Sequence, residues 1–154
     1  MENLREILNQ HNASMPLVFG NRYLDEDYMA TGAIVLSKEA LQRLILQSFP
    51  EEKKCDQGSV GEGNIELQKC MNEVKIECVD TSDITYRNRF FQEPVEFSLF
   101  PIVGQERINK LNWNFLEQGP MCCADAPVSF SNLRNGRLYL FEYLIYTVKI
   151  FGRK

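Results

Sequence analysis

The sequence predicts an ordered α/β fold of one domain or part of one, on three observations. Short apolar runs typical of buried strands alternate with segments whose apolar residues recur at helical spacing. The chain has 154 residues, a length that suits one domain or part of a larger one. Hydrophobic residues make up 44% of the sequence and charged residues 25%, so the apolar surface is sufficient to offset the entropy lost when the chain orders.

The first third of the chain predicts two helices and two strands. Helical spacing over residues 2–11 puts four side chains on one face: Leu4, Ile7, Leu8 and His11. Apolar runs at residues 16–20 and 33–36 predict buried strands. Ser37 is a favourable N-cap for a helix that stops at Phe49-Pro50. The inner face of that helix is predicted to carry Leu41, Leu44 and Ile45.

The remainder is less regular. Residues 51–63 are polar and glycine-rich, which predicts a loop. A helix is predicted next, from the spacing of Leu67, Cys70, Met71 and Val74. Alternation over residues 75–80 predicts a strand, and residues 126–130 predict another. Residues 81–120 are aromatic with little periodicity, which is typical of a binding surface. Residues 138–150 favour a helix over a strand and are interpreted as packing.

Charge and hydropathy exclude several classes of protein. The net charge is −4 and the isoelectric point about 5.1, which argues against binding nucleic acid through a basic face. No run of about 18 apolar residues is present, so no segment of this sequence is predicted to span a membrane. The N-terminus lacks the apolar region of a signal peptide.

The cysteines indicate disulfides rather than a metal centre. No C-x-x-C pair occurs, and one histidine cannot complete a zinc site. A Cys55–Cys70 bond would close a loop of about 15 residues and stabilise the chain by roughly 3 kcal/mol; the alternative is two buried thiols. Adjacent cysteines rarely bond to each other, because their Cα atoms are closer than in a relaxed disulfide. We therefore expect Cys122 or Cys123 to bond to an unknown partner, and Cys78 to be a buried thiol.

Three further features bear on function. Asn12 begins the glycosylation sequon Asn-Ala-Ser, which has meaning only in the secretory lumen. Asp25-Glu26-Asp27 fits the D-x-D pattern that binds a divalent cation and nucleotide phosphate, although a solvated acidic turn is the alternative. His11 lies on the inner face of the first predicted helix and is interpreted as a core or cap residue. A general base would then have to be a carboxylate.

Several blocks of the sequence resemble the core 1 β1,3-galactosyltransferases. Residues 28–41 are similar to that family's YMSGGAGYVLSKEAL. Residues 119–130 resemble its GPGCCSD-AVSF, and residues 141–146 its LEYLVY. The cysteines at 55 and 70 with their preceding lysines match as well, as do Glu2–Arg5 and Phe19–Arg22. The resemblance covers nearly the whole chain in the family's order, and the homologous galactosyltransferase chaperone shares several of these features.

The resemblance implies that residues 1–154 form the C-terminal, acceptor-side half of a GT-A fold, a mixed sheet with flanking helices. The family transfers galactose from UDP-galactose to O-linked N-acetylgalactosamine on glycoproteins, with inversion, using Mn²⁺. Its members are type II membrane proteins of the Golgi or ER lumen. The implied partners are a UDP-sugar, a GalNAc-glycoprotein and a second transferase chain in a homodimer or heterodimer. The family's anchor, stem and donor-binding D-x-D half lie outside the matched part, so we expect this chain alone to be inactive and to bind no metal.

Departures from the family pattern affect the chemistry directly. The family's Glu-Asp pair, where the base is expected, aligns with Gly63-Asn64, and a neutral amide cannot take the hydroxyl proton. The histidine after the family's VSF, taken for a metal ligand, is Ser131 here. The family's His-His pair is missing near Phe97-Ser98, and Asp25-Glu26-Asp27 lies in the wrong place to replace the D-x-D segment.

The resemblance also indicates where substrate would bind. The sugar-binding residues that the resemblance implies are Arg22, Tyr28, Gly32 and Trp113, together with Asn64. Gly32 would let the backbone approach the sugar. Trp113 would stack on a pyranose face, or be buried in the core. Asp125 is expected to have a structural hydrogen-bonding role. Three interpretations remain: part of an active transferase, a catalytically dead paralogue that acts as a binding or chaperone-like partner, or a degraded gene product.

Overall fold

The computed structural model describes residues 2–21, 33–50, 55, 63–100, 119–134, 136–149 and 152. Its helices are α1 (Glu2–Leu8), α2 (Lys38–Arg43), α3 (Gly63–Glu73), α4 (Val95–Leu99) and α5 (Arg137–Glu142). Its strands are β1 (Leu17–Phe19), β2 (Val35–Leu36), β3 (Glu77–Cys78), β4 (Phe90–Phe91) and β5 (Ser129–Phe130). Helices therefore alternate with short strands, and the α/β prediction is confirmed.

Strand β1 is the centre of a small mixed sheet in the order β2-β1-β3. Val18 pairs with Leu36 of antiparallel β2 and with Cys78 of parallel β3. A parallel pair needs a long crossover, and α2 and α3 lie within the one from β1 to β3. Strands β4 and β5 form a second parallel pair, with Phe91 opposite Phe130.

Helices α2 and α3 cover the mixed sheet and form the first apolar core with it. Cys70 and Met71 of α3 are buried against Val18 of β1, and Leu44 joins them from the π-helical turn Leu44–Ser48 that continues α2. The inner face predicted for this helix is wrong at two positions, since Leu41 is 48% exposed and Ile45 50% exposed. The buried positions are instead Ala40, Leu44 and Ser48, each four residues apart. The buried face of this helix is therefore narrower than its apolar residues indicated in the sequence.

A second apolar core joins both strand groups to the N-terminal helix. Ile7 of α1 is buried with Leu17 and Phe19 of β1 and with Phe90 of β4. The ring of His11 meets Phe19 edge-on, with 5.1 Å between ring centroids. His11 is therefore a partly buried residue that packs on the core, as the sequence indicated.

Ser37 links β1 to the start of α2. Its hydroxyl accepts hydrogen bonds from the N–H of Ala40 (3.1 Å) and of Leu17 (3.0 Å) and donates to the carbonyl of Met15 (2.6 Å). The first of these is the predicted N-cap bond. The other two fix the angle at which the helix leaves the sheet.

The C-terminal segment is helical, as favoured by the sequence, but it is not a packed helix. α5 follows Gly136, whose φ of 74° is readily adopted by glycine, and continues as a π-helical turn, Tyr143–Thr147. Neither part contains a buried residue. Its contacts with the rest of the described chain include an aromatic stack, in which Phe141 lies on Phe130 and Phe130 on Phe91, and polar contacts of Arg137 with Glu96 and of Tyr146 with Glu2. The interpretation of this segment as core packing is wrong, because its other apolar side chains face outward.

The region predicted to be irregular contains regular elements as well. β4 and α4 both lie within residues 81–120. They escape sequence analysis because two- and five-residue elements are too short to show a period. Within the described part of the chain, no helix is long and apolar enough to cross a membrane.

Candidate functional site

In sheets of this kind, ligands bind beyond the carboxyl ends of parallel strands. Beyond β1 and β3 the chain continues through Gly20-Asn21 and Asp80-Thr81. The buried hydroxyl of Thr81 donates to the carbonyl of Gly20 at 3.0 Å and ties these two segments together. Asn21 is also buried, and its Oδ1 has no hydrogen-bond partner among the described residues. This edge therefore offers a buried amide oxygen directly before residues 22–32.

The second parallel pair ends at Ser131, the position where the resemblance expects a histidine ligand. The N–H of Ser131 donates to the carbonyl of Phe91 at 3.0 Å, so its backbone continues the ladder of β4 and β5. Beside it, Nδ2 of Asn132 donates to Oε2 of Glu93 at 3.1 Å. The ends of these strands therefore carry the neutral hydroxyl of Ser131 and the carboxylate of Glu93, which is already hydrogen-bonded to Asn132.

Manganese does not fit the described part of this site. Among residues 2–21, 33–50, 55, 63–100, 119–134, 136–149 and 152, no three His, Cys, Asp or Glu side chains come together as a ligand set. Divalent manganese prefers several carboxylate or imidazole ligands. The described residues therefore do not by themselves supply a ligand set for this ion.

Among the described residues, a charge cluster around Asp83 was not predicted from the sequence. Asp83 Oδ1 accepts from the N–H of Arg87 (2.9 Å), while Oδ2 accepts from its Nε (2.8 Å). Thr85 adds a backbone and a hydroxyl hydrogen bond to Oδ1. Burial raises the pKa of Asp83, but these hydrogen bonds outweigh it and lower the pKa from 3.8 to about 2. The signal in the sequence was Asp83-x-Thr85, a typical Asx-turn pattern.

Arg87 extends this cluster to Asp125. Its Nη1 donates to Oδ1 of Asp125 at 3.1 Å, and Asp125 is otherwise exposed, with 91% of its side chain accessible. Hydrogen bonds to Asp125 and to Asp83 raise the pKa of Arg87. The contact joins the loop after β3 to the turn that carries the double cysteine. This geometry is compatible with the structural hydrogen-bonding role expected for Asp125.

The disulfides agree with the sequence at one position and correct it at another. Cys55 and Cys70 are bonded, with their Cα atoms 5.0 Å apart, so the predicted bond is present. Cys122 and Cys123 are bonded to each other, and the expectation of an unknown distant partner is wrong. The reason is the local turn: the N–H of Cys122 donates to the carbonyl of Gly119, and Cys123 bridges to Asn88. With both residues held by these contacts, their sulfur atoms bond within the pair. Cys78 lies outside both disulfides and is half-buried.

The remaining candidates fall in two groups. Asn64 lies in the first turn of α3 and is half-buried. Asn12 is exposed after α1, where its Oδ1 accepts from the N–H of Ser14 at 2.9 Å. Ser98 is buried in α4, and its carbonyl accepts from Gly119. The other predicted residues lie outside the described residues: Arg22, Asp25-Glu26-Asp27, Tyr28, Gly32 and Trp113.

Comparison with known proteins supports the resemblance seen in the motifs. No protein-family model matches the chain. The chain is 30% identical over 160 aligned residues, covering 99% of its length, to glycoprotein-N-acetylgalactosamine 3-beta-galactosyltransferase 1 of Xenopus laevis. It spans 43% of the length of that relative and aligns with a C-terminal part of it. The resemblance to core 1 galactosyltransferases is thereby confirmed.

Proposed function

We propose that this chain is the acceptor-side part of a glycosyltransferase domain with a GT-A fold and core 1 galactosyltransferase ancestry. The observation that carries the proposal is similarity along 99% of the chain to a galactosyltransferase. The mixed sheet flanked by helices is compatible with that fold. The reaction we propose for the complete domain is transfer of galactose from UDP-galactose to O-linked N-acetylgalactosamine, in the Golgi or ER lumen.

Such a transfer needs a carboxylate base and a site for the diphosphate. An inverting reaction removes the acceptor hydroxyl proton as the new bond to the anomeric carbon forms and the bond to UDP breaks. Asn64 occupies the aligned base position, and a side-chain amide has no basic lone pair for that proton. The Mn²⁺ expected for the family would have to be held largely by residues other than those described.

A second function is favoured by these same positions. The neutral Asn64 and Ser131 suit a catalytically dead paralogue that binds a related transferase, as a chaperone-like partner or a heterodimer subunit. The two candidates differ in one respect that can be measured. If the chain is part of a transferase domain, restoring the carboxylate at position 64 restores galactose transfer. If it is a catalytically dead paralogue, the rest of the active site is lost as well, and the same substitution restores nothing.

The experiment uses a chimera in which these 154 residues replace the matching C-terminal part of the Xenopus relative. We expect Asn64→Asp to raise manganese-dependent galactose transfer to a GalNAc-peptide by about tenfold or more over the Asn64 chimera, within the range for one general base. Asn72→Asp, at an exposed position of the same helix, is the matched control and should change nothing. Equal rates in all three chimeras, with normal folding, would favour the dead paralogue. The 154-residue chain alone should give no turnover.

A further inference from the structure

The C-terminal helix, residues 137–147, leaves apolar side chains exposed around most of its circumference. It consists of α5 and the π-helical turn that follows, and neither part contains a buried residue. Seven of its large apolar side chains are at least half exposed, from 52% at Leu144 to 75% at Tyr139. A helix that is apolar on nearly all sides is normally buried, so this surface is expected to be covered when the protein works.

One side of this helix faces the fold, and the opposite side carries tyrosines. Phe141 stacks on Phe130, with 5.7 Å between ring centroids. Tyr139 and Tyr143 each lie two residues from Phe141, which places them about 200° away from it around the helix, on the far side. Tyrosine is enriched at membrane–water interfaces, because its ring is apolar and its hydroxyl remains hydrated. The outward side of the helix therefore has the composition of an interfacial segment.

Charge is distributed unevenly between this end of the chain and the rest. Residues 134–154 hold five of the 17 basic residues and one of the 21 acidic residues, so their net charge is +4 while that of residues 1–133 is −8. Arg134 and Lys149, at the two ends of the helix, are exposed, whereas Arg137 is paired with Glu96. The exposed apolar helix is therefore flanked by positive charge on a protein that is otherwise acidic.

This charge favours a lipid surface over a second copy of the chain. A two-fold pairing of copies through the helix would bring two basic segments together, and like charges at close range oppose such an interface. Anionic lipid headgroups attract the same basic residues. The helix has 11 residues and a length of about 16 Å, so it can lie on a bilayer but cannot cross its hydrocarbon core of about 30 Å.

We propose that the C-terminal helix docks in the plane of an anionic phospholipid surface. Tyr139, Leu140 and Tyr143 enter the boundary between headgroups and acyl chains, and Arg134 and Lys149 bind the headgroup phosphates. This surface is independent of the proposed function, since galactose transfer requires none of these five residues in the argument above.

The test measures binding of the 154-residue chain to large unilamellar vesicles by flotation. One set of vesicles is phosphatidylcholine alone, and the other contains about one-third phosphatidylserine as the anionic lipid. We expect the partition coefficient to be about tenfold or more higher for the anionic vesicles, because each basic residue near such a surface adds to the attraction. Raising the salt concentration from about 0.1 M to about 1 M should remove most of this difference, since salt screens exposed charges.

A first pair of variants tests the apolar contact. Tyr139→Gln combined with Tyr143→Gln should lower the partition coefficient for anionic vesicles by about tenfold or more, because two aromatic rings no longer leave water. Ile84→Gln, at a side chain that is 98% exposed outside the helix, is the control and should bind like the unmodified chain. If the tyrosine variant binds as well as this control, the contact runs through another surface and the proposal is wrong.

A second pair tests the charge. Arg134→Gln combined with Lys149→Gln should reduce the preference for phosphatidylserine by about tenfold. Lys38→Gln combined with Lys75→Gln removes the same charge at two exposed lysines outside the segment and should leave the preference unchanged. Equal losses in the two variants would show a general effect of net charge and overturn the proposal.

The remaining outcomes also decide the question. Equal partition of the unmodified chain into both kinds of vesicle overturns the proposal. So do copies that associate through this helix and stay associated when vesicles are added, because the occupant is then a second chain. If circular dichroism shows that the tyrosine variant does not fold, the charge variants decide, since they alter exposed residues only. No sugar nucleotide or acceptor is present, so failure here leaves the proposed transferase function untouched.

Discussion

At the scale of single residues, Asp83 is the group whose ionisation the fold supports most clearly. Its side chain is only 9% exposed and receives hydrogen bonds from Arg87 and Thr85. With a pKa of about 2 in the folded state against 3.8, the ionised form contributes about 2 kcal/mol of stability. Because the folded pKa is the lower one, this contribution is complete above about pH 5 and is lost as the pH falls toward 2.

We therefore expect Asp83→Asn to lower the free energy of unfolding by about 2 kcal/mol at pH 7, with the difference from the unmodified chain shrinking between pH 5 and pH 2. Urea unfolding at a series of pH values measures this difference. Asp80→Asn, at a nearby exposed aspartate that accepts two hydrogen bonds from Ser82, is the control. A deficit for Asp83→Asn that stays constant down to pH 2 would contradict the assignment.

Residue-level predictions succeeded where they depended on a local rule. The Ser37 cap follows from side-chain chemistry within one helical turn, and it is present. The partner of Cys122 was predicted wrongly, because the rule for adjacent cysteines states what is common and not what the backbone around one particular pair allows. Arg87 could not be singled out, since its role depends on loops that meet only in three dimensions.

At the scale of elements, helices with a buried stripe and strands with clean alternation were predicted best. Val74 and Ile76 are buried while Lys75 and Glu77 are exposed, as the alternation indicated, although β3 itself is only Glu77–Cys78. The pairing of β1 with β3, or of β4 with β5, has no signature in the sequence. Register in such short strands is set by tertiary packing rather than by the strands themselves.

The junction of β1 with α2 gives the prediction at this scale. Because the hydroxyl of Ser37 caps the helix and also bonds to Leu17 and Met15, Ser37→Ala should destabilise the chain by about 1–2 kcal/mol. Chemical denaturation monitored by circular dichroism measures the change. Ser14→Ala, at an exposed serine, should stay within about 0.5 kcal/mol of the unmodified chain. Equal effects of the two substitutions would mean that the capping network is not formed.

At the scale of the whole molecule, the second apolar core joins the two strand groups. Phe90 of β4 and Phe19 of β1 are both almost fully buried in it, together with Ile7 of α1. The small sheets thereby share one interior although they have no ladder hydrogen bonds in common. The sequence could indicate that these residues are buried, but not that they are buried together.

The C-terminal helix differs from this second core, because it leaves its apolar side chains exposed to solvent. Leu140 is 54% exposed, Leu144 52% and Ile145 63%, on a helix that buries none of its residues. Such a continuous apolar surface favours association in water. Replacing all three with glutamine, a good helix former, should reduce self-association of the 154-residue chain and change its unfolding free energy by less than about 1 kcal/mol. Sedimentation velocity over a concentration series measures the first effect and urea unfolding the second.

The control for this experiment separates a surface effect from a general gain in polarity. Ile84→Gln removes a side chain that is 98% exposed but lies outside the helix, so it should leave association unchanged. If the triple variant unfolds, α5 makes packing contacts that stabilise the fold, and its exposed face is wrongly described. If it folds and still associates like the unmodified chain, the association runs through another surface. The exposed apolar residues of the segment after Arg43, which include Ile45 and Leu46, would then be the next to replace.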